Sequence, residues 1–155
     1  MNYKQANLDI CKQIINNEFV RGQKISDKLF LVIPSEGYYG YYINPKDCAF
    51  SMGKIKMIPK DKPKIGDFSL IDPGNEIKIT NRLNLMFRNR NDTIRMFKNG
   101  EKAVWVNSKF LKCLDLYACK FYQKPGEVIA PIIAVEDETP VMMILPMNIR
   151  GNIDE

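Results

Sequence analysis

From residue 76 to residue 149 the chain is a succession of short apolar runs, each closed by turn-forming residues. That punctuation restricts the region to a β-rich fold. The stretch "EIKITNRLNLMFRNRNDTIRMFKNGEKAVWVN" reads as three strands, and 120–123, 132–135 and 141–145 as three more. "KNGE", "KPGE" and "EDET" supply turns, the first with the Asn-Gly pair of tight hairpins. Arg88, Arg90, Arg95 and Lys98 gather around a further turn, "RNRND". Pro146, just beyond the last run, fits the exit of an edge strand because proline cannot donate to a ladder.

Only two segments carry helical spacing. In the first, Leu8, Cys11, Ile15 and Phe19, with Ile14 beside them, form one face. Asp9, Lys12, Gln13, Asn16 and Asn17 form the opposite one, and the helix is expected to stop at Arg21 and Gly22. In the second, Asn107 and Ser108 cap "SKFLKCLDLYA". Phe110, Leu111, Leu114, Tyr117 and Ala118 point inward there, with Lys109, Lys112 and Asp115 outside.

Two strands, 29–33 and 38–43, follow the first helix, joined by "PSEG". Tyr38, Tyr39, Tyr41 and Tyr42 around Gly40 are either a stacking platform for bases or a strand with aromatic residues on both faces. "CAFSM" and "KIKMIP" read as short strands. "KMIPKDKPKIGDF", with Lys56, Lys60, Lys62 and Lys64, reads as an internal connection. Its lysines either touch phosphates or keep a solvated linker in water.

Composition narrows the chemistry. A chain of 155 residues suits one domain with a core of its own. It has no histidine, which removes Ser-His, Cys-His and His-metal schemes. Phosphate-loop and dinucleotide-binding glycine motifs are missing, so a non-enzymatic role without cofactor or metal is expected. Cys11, Cys48, Cys113 and Cys119 form no C-x-x-C pair and read as free thiols in a reducing, cytoplasmic setting. No stretch is long and apolar enough to span a bilayer, and no signal-peptide core opens the chain. Up to Lys120 there are 21 basic and 12 acidic residues, and afterwards 2 and 6, so an overall +5 is unevenly spread. Such polarity can steer a polyanion, and a solvated surface with local bias explains it equally.

The order of elements suggests one plan stated twice: helix then strands, and again strand, helix and three strands. Two amphipathic helices side by side on a curved antiparallel sheet would close a core of this size. With "VWVNSKFLKCLDLY" and "IIAVEDETPVMMILPMNI", residues 102–149 resemble the closing half of a domain of the bacterial DNA polymerase processivity clamp, the β sliding clamp. That family starts its helix with "FN-x-x-YL" after a strand and ends on "V-[MV]-[ML]-P-[MV]-R-[LI]". Asn148 stands here where that ending has arginine. The resemblance implies an α+β, DNA-clamp-like single domain with a pseudo-two-fold repeat. Its first half would be 1–57, a connection and strand 58–84, the second half 85–149 and a tail 150–155.

It further implies a module of DNA replication or repair. Lys12, Asn16, Lys109, Lys112, Arg88 and Arg90 would touch the backbone of double-stranded DNA, weakly and with strong salt sensitivity. Met143, Pro146, Met147, Asn148 and Ile149 would line a groove for peptides of replication proteins. Rings of this family contain six domains, so encirclement would require a homo-oligomer, a hexamer. A one-domain version suits a phage or mobile element. The alternative is a protein-interaction module that keeps such a fold without encircling DNA.

Overall fold

The computed structural model describes residues 1–66, 68–85 and 92–149. Among them there is one α-helix, α1 (Tyr3–Ile15), capped by the Asn2 side chain, which accepts from the Gln5 N–H at 3.1 Å. Ten strands follow. They are β1 (Arg21–Ser26), β2 (Leu29–Ile33), β3 (Tyr39–Ile43), β4 (Lys56–Met57) and β5 (Glu76–Leu85). After these come β6 (Thr93–Asn99), β7 (Lys102–Asn107), β8 (Cys119–Tyr122), β9 (Ile132–Glu136) and β10 (Thr139–Ile144). They lie in the order β4-β1-β2-β3-β10-β9-β8-β5-β6-β7. The β1–β4 pair is parallel and the others are antiparallel, so the sheet is mixed.

β5 joins the two parts of this sheet, the strands from β4 to β8 and the pair β6–β7. Its first residues, Glu76 and Ile77, pair with β8, and the rest pairs with β6 across a register shift between Ile79 and Leu83. The chain leaving β10 then donates the Met147 N–H to the Trp105 carbonyl of β7 at 2.8 Å. The sheet therefore curls back on itself. Its inner face meets around Phe97, Val104, Val106, Phe121, Ile132, Met142 and Ile144, with Ala6 and Ile10 of α1 on the same cluster. On the outer face, Leu31, Ile33, Tyr42, Ile133 and Met143 are roofed by Ile58, Ile65, Phe68, Leu70 and Ile71 of the long connection.

The two-helix clamp architecture with its internal repeat is overturned: one helix and a ten-stranded mixed sheet take its place. The second expected helix is a four-residue 3-10 turn, Ser108–Leu111, followed by further turns. Hydrogen bonding explains this. An α-helix would pair the Tyr117 N–H with the Cys113 carbonyl. Instead the Cys113 carbonyl takes the Asn2 N–H at 2.7 Å, and the Tyr117 N–H goes to the Asp115 side chain at 3.1 Å. Asn107 does cap the turn, and Phe110, Leu111 and Leu114 are buried as expected. Tyr117 and Ala118, expected inside, are exposed.

α1 also ends earlier and turns another face inward than its apolar spacing predicts. It stops at Ile15, Asn17 takes φ 55, and Gly22 lies inside β1, a strand absent from the expectation. Ala6, Asn7, Ile10 and Gln13 are buried, whereas Leu8, Ile15 and Phe19 are exposed. Two amides settle the choice. Asn7 donates to the Tyr3 and Asp47 carbonyls and accepts the Ala49 N–H, and Gln13 accepts the Ser35 N–H. Buried amides must be satisfied, and those partners exist only on the sheet side.

The remaining strands follow the sequence closely, with local corrections. β2 and β3 match their runs, and residues 137 and 138 form the tight β9–β10 turn with φ 49 and 62. "CAFSM" is a loop between 3-10 turns, and only β4 survives from "KIKMIP". β10 is a central strand between β3 and β9, not an edge strand. A bulge between Pro140 and Met142 lets Val141 and Met142 share the inner cluster while Met143 joins the outer one. Gly40 is required in β3, because a Cβ there would meet Leu31 Cδ1 at 2.7 Å and the Val32 carbonyl oxygen at 3.2 Å.

Candidate functional site

Two surface features follow from this fold. The first is a cleft of about 470 Å³ between α1 and the turn after β7. One wall is the polar stripe Asn2, Gln5, Asp9 and Lys12, spaced three and four residues apart along α1. The other wall is Lys109, Phe110, Lys112 and Cys113; Glu36 of the β2–β3 turn stands at the mouth, and Tyr39 and Tyr41 of β3 form the floor. Alternation along the strand puts those two tyrosines on the inner face and Tyr42 on the other.

Asp9 organises the floor. Its Oδ2 accepts the hydroxyls of Tyr39 and Tyr41, each at 2.8 Å, and its Oδ1 accepts Gln13 Nε2 at 3.1 Å. Burial, then the neighbouring Asp9, holds the Tyr39 phenol above its ordinary pKa. Burial dominates for Tyr41 as well, reinforced by Cys113 at 3.7 Å and by Asp9. The Cys113 thiol is likewise pushed up by burial. All three stay protonated at neutral pH, so the floor presents two neutral phenols bound to one carboxylate, with the Cys113 thiol against Tyr41. Lys109 crosses the mouth to Glu36 at 3.2 Å and lies over the Phe110 ring at 5.3 Å. Among the described residues, neither Lys12 nor Lys112 has a carboxylate within ion-pair distance.

The second feature is the edge of the sheet at β4 and β1. The Ile58 N–H continues the pairing by donating to the Gly22 carbonyl at 2.7 Å. Buried Gln23 then clamps the connection, donating to the Pro63 carbonyl at 2.9 Å and accepting the Ile65 N–H at 2.6 Å. This lays 58–65 alongside β1. Lys24, Lys28, Lys54, Lys56, Lys60, Lys62 and Lys64 are therefore exposed along one edge, against Asp27 and Asp61. Lys24 is paired with Asp27 at 2.8 Å, and Lys56 lies 5.1 Å above the half-exposed Phe19 ring. No protein-family model, no curated protein and no solved structure matches the chain.

The expected sites are thus redistributed. Lys12, Lys109 and Lys112 come together, in a shared cleft and not on the outer faces of two helices. Asn16 is exposed just beyond the end of α1 and does not line that cleft, while Arg88 and Arg90 lie outside the described residues. The tyrosine platform does not assemble: Tyr39, Tyr41 and Tyr42 are buried, and only Tyr38 is exposed, stacked on Phe110 at 6.4 Å. The peptide groove is divided as well. Met143 sits in the outer cluster, whereas Met147 and Ile149 cover Ile94, Met96 and Trp105, and Pro146 and Asn148 belong to neither cluster.

Sequence reasoning missed Glu36, Gln5 and Asn2 at the cleft. It also gave Lys24 and Lys28 no partner in the 54–64 lysines, because Gln23 carries no pattern that announces a clamp. Among the described residues no group of three or more carboxylates and thiols is placed to hold a metal. None of their helices is long and apolar enough to cross a membrane.

Proposed function

We propose that the chain is a binding module for nucleic acid, suited to replication or repair, that holds the phosphate backbone along the lysine-rich β4–β1 edge. The supporting observation is the charge of that edge: among the described residues seven exposed lysines face two aspartates, one of them already paired. Such a surface attracts a polyanion and releases condensed counterions on contact, a favourable term that needs no base reading. Phe19, 54% exposed beside Lys56, adds one ring on which an unpaired base can stack. The cleft is a poorer track for a polymer, because Asp9 and Glu36 oppose three lysines there.

Fluorescence anisotropy with single- and double-stranded oligonucleotides across a salt series tests this reading. Five phosphate contacts imply that affinity falls about 500-fold between 50 and 200 mM salt, from a slope of roughly 0.9 per contact. Replacing Lys60, Lys62 and Lys64 by Gln should weaken binding to all sequences alike and flatten that slope by about three contacts' worth. No binding at low salt would sink the proposal. Attention would then move to a protein partner on the exposed apolar residues Leu8 and Ile15 of α1.

A further inference from the structure

We infer that the cleft beneath Lys12 and Lys112 is a binding site for a phosphate group carried on a small organic molecule or on a strand end. Three features support this, none of them shared with the basic edge. The cleft, about 470 Å³, is within the range of sites that hold nucleotide-sized ligands. The carboxylate in its α1 wall is already occupied: Asp9 accepts two phenols and one amide, so it is committed to the fold. Lys12 and Lys112, on opposite walls, have no carboxylate partner among the described residues, and the Gln5 side chain lines the same wall as Lys12.

Two ammonium groups and an amide lining one space are donors that a phosphate's three oxygens can satisfy. Lys109 adds a conditional third cation. At 40% exposure it is held by half-exposed Glu36 across the mouth, so an incoming phosphate competes with that carboxylate for it. Glu36 therefore weakens binding. This distinguishes a ligand site from a merely solvated charge cluster, in which Glu36 would have no effect on any ligand.

The test is titration calorimetry on the full chain with AMP and with inorganic phosphate. Sub-millimolar AMP binding is expected, weakened roughly 10-fold or more when Lys12 and Lys112 are both replaced by Gln. Glu36→Gln should tighten it by about 2- to 5-fold, the effect of removing one exposed charge from the mouth. The Lys60, Lys62 and Lys64 to Gln variant should bind AMP unchanged, which separates this site from the nucleic-acid edge. A 10-nucleotide strand with and without a 5′-phosphate distinguishes the ligand's source. Tighter binding of the phosphorylated strand, lost with Lys12 and Lys112, assigns the site to strand ends; equal binding of both strands assigns it to a small molecule. No AMP or phosphate binding at several millimolar, binding indifferent to Lys12 and Lys112, or affinity unchanged or weakened by Glu36→Gln would overturn the inference. Because Lys12, Lys112 and Glu36 are surface residues, these variants should fold normally.

Discussion

Replacing Asp9 by Ala should be among the most damaging single changes to a residue that is not fully buried. The Asp9 carboxylate accepts the Tyr39 and Tyr41 hydroxyls at 2.8 Å each and Gln13 Nε2 at 3.1 Å. Tyr41 is 3% exposed and Tyr39 is 9% exposed, so apart from the cleft they floor neither hydroxyl has a route to water. Each orphaned buried hydroxyl costs about 1–3 kcal/mol. Cys113 remains near Tyr41, but a thiol is a weak acceptor. A loss of about 3 kcal/mol follows, a large share of the roughly 5–15 kcal/mol that holds a domain folded.

For a chain of this length that corresponds to a drop in Tm of about 6–12 °C. Urea unfolding followed by Trp105 fluorescence measures it, since that indole is 9% exposed in the fold. The same deletion made in a Tyr39→Phe, Tyr41→Phe background should cost much less, because removing both sides of a hydrogen bond is far milder than removing one. If Asp9→Ala lies within 1 kcal/mol of the parent, or costs as much without the hydroxyls as with them, the carboxylate does not organise the floor.

Two further outcomes are expected. The Tyr42 hydroxyl is buried under Gly66, whose φ is +84, and has no hydrogen-bond partner among the described residues. Tyr42→Phe should therefore be neutral or stabilising by up to about 1 kcal/mol in the same urea assay, and a clear loss would reveal a partner for that phenol. Stability should also fall as pH rises above 9. Burial, then Asp47, pushes the Cys48 thiol up to about 11, and burial, then Glu136, does the same for Cys119. Tyr39, Tyr41 and Tyr42 are raised mainly by burial as well. The folded chain keeps protons that the unfolded chain releases, so stability present below pH 9 is lost on the way to about pH 11. A urea midpoint that does not change between pH 8 and 10.5 would contradict those burial effects.

What the sequence determined by itself was the strand content and most strand positions. β2, β3 and β5 to β10 can be read from local runs and turn residues because alternation, Gly and Pro act over a few bonds. The cap at Asn107 was legible for the same reason. Tertiary structure decided which faces turn inward and which distant residues meet. Leu8, Ile15 and Phe19 form the more apolar stripe of the first segment, yet the Asn7 and Gln13 side turned inward. Its partners are backbone groups of residues 35, 47 and 49, which no local pattern announces.

Every buried polar residue among those described is an amide: Asn7, Gln13, Gln23, Asn99, Asn107 and Gln123. Asn and Gln carry both a donor and an acceptor without charge, so they can join non-local backbone at little desolvation cost. The second helix failed through another non-local contact, when the Asn2 backbone N–H took the carbonyl that the helix needed. The lysines were visible from the start. Lys12 meeting Lys112, and Lys24 meeting the 54–64 connection, required the curled sheet and the Gln23 clamp, because charge has no periodicity that encodes a partner a hundred residues away.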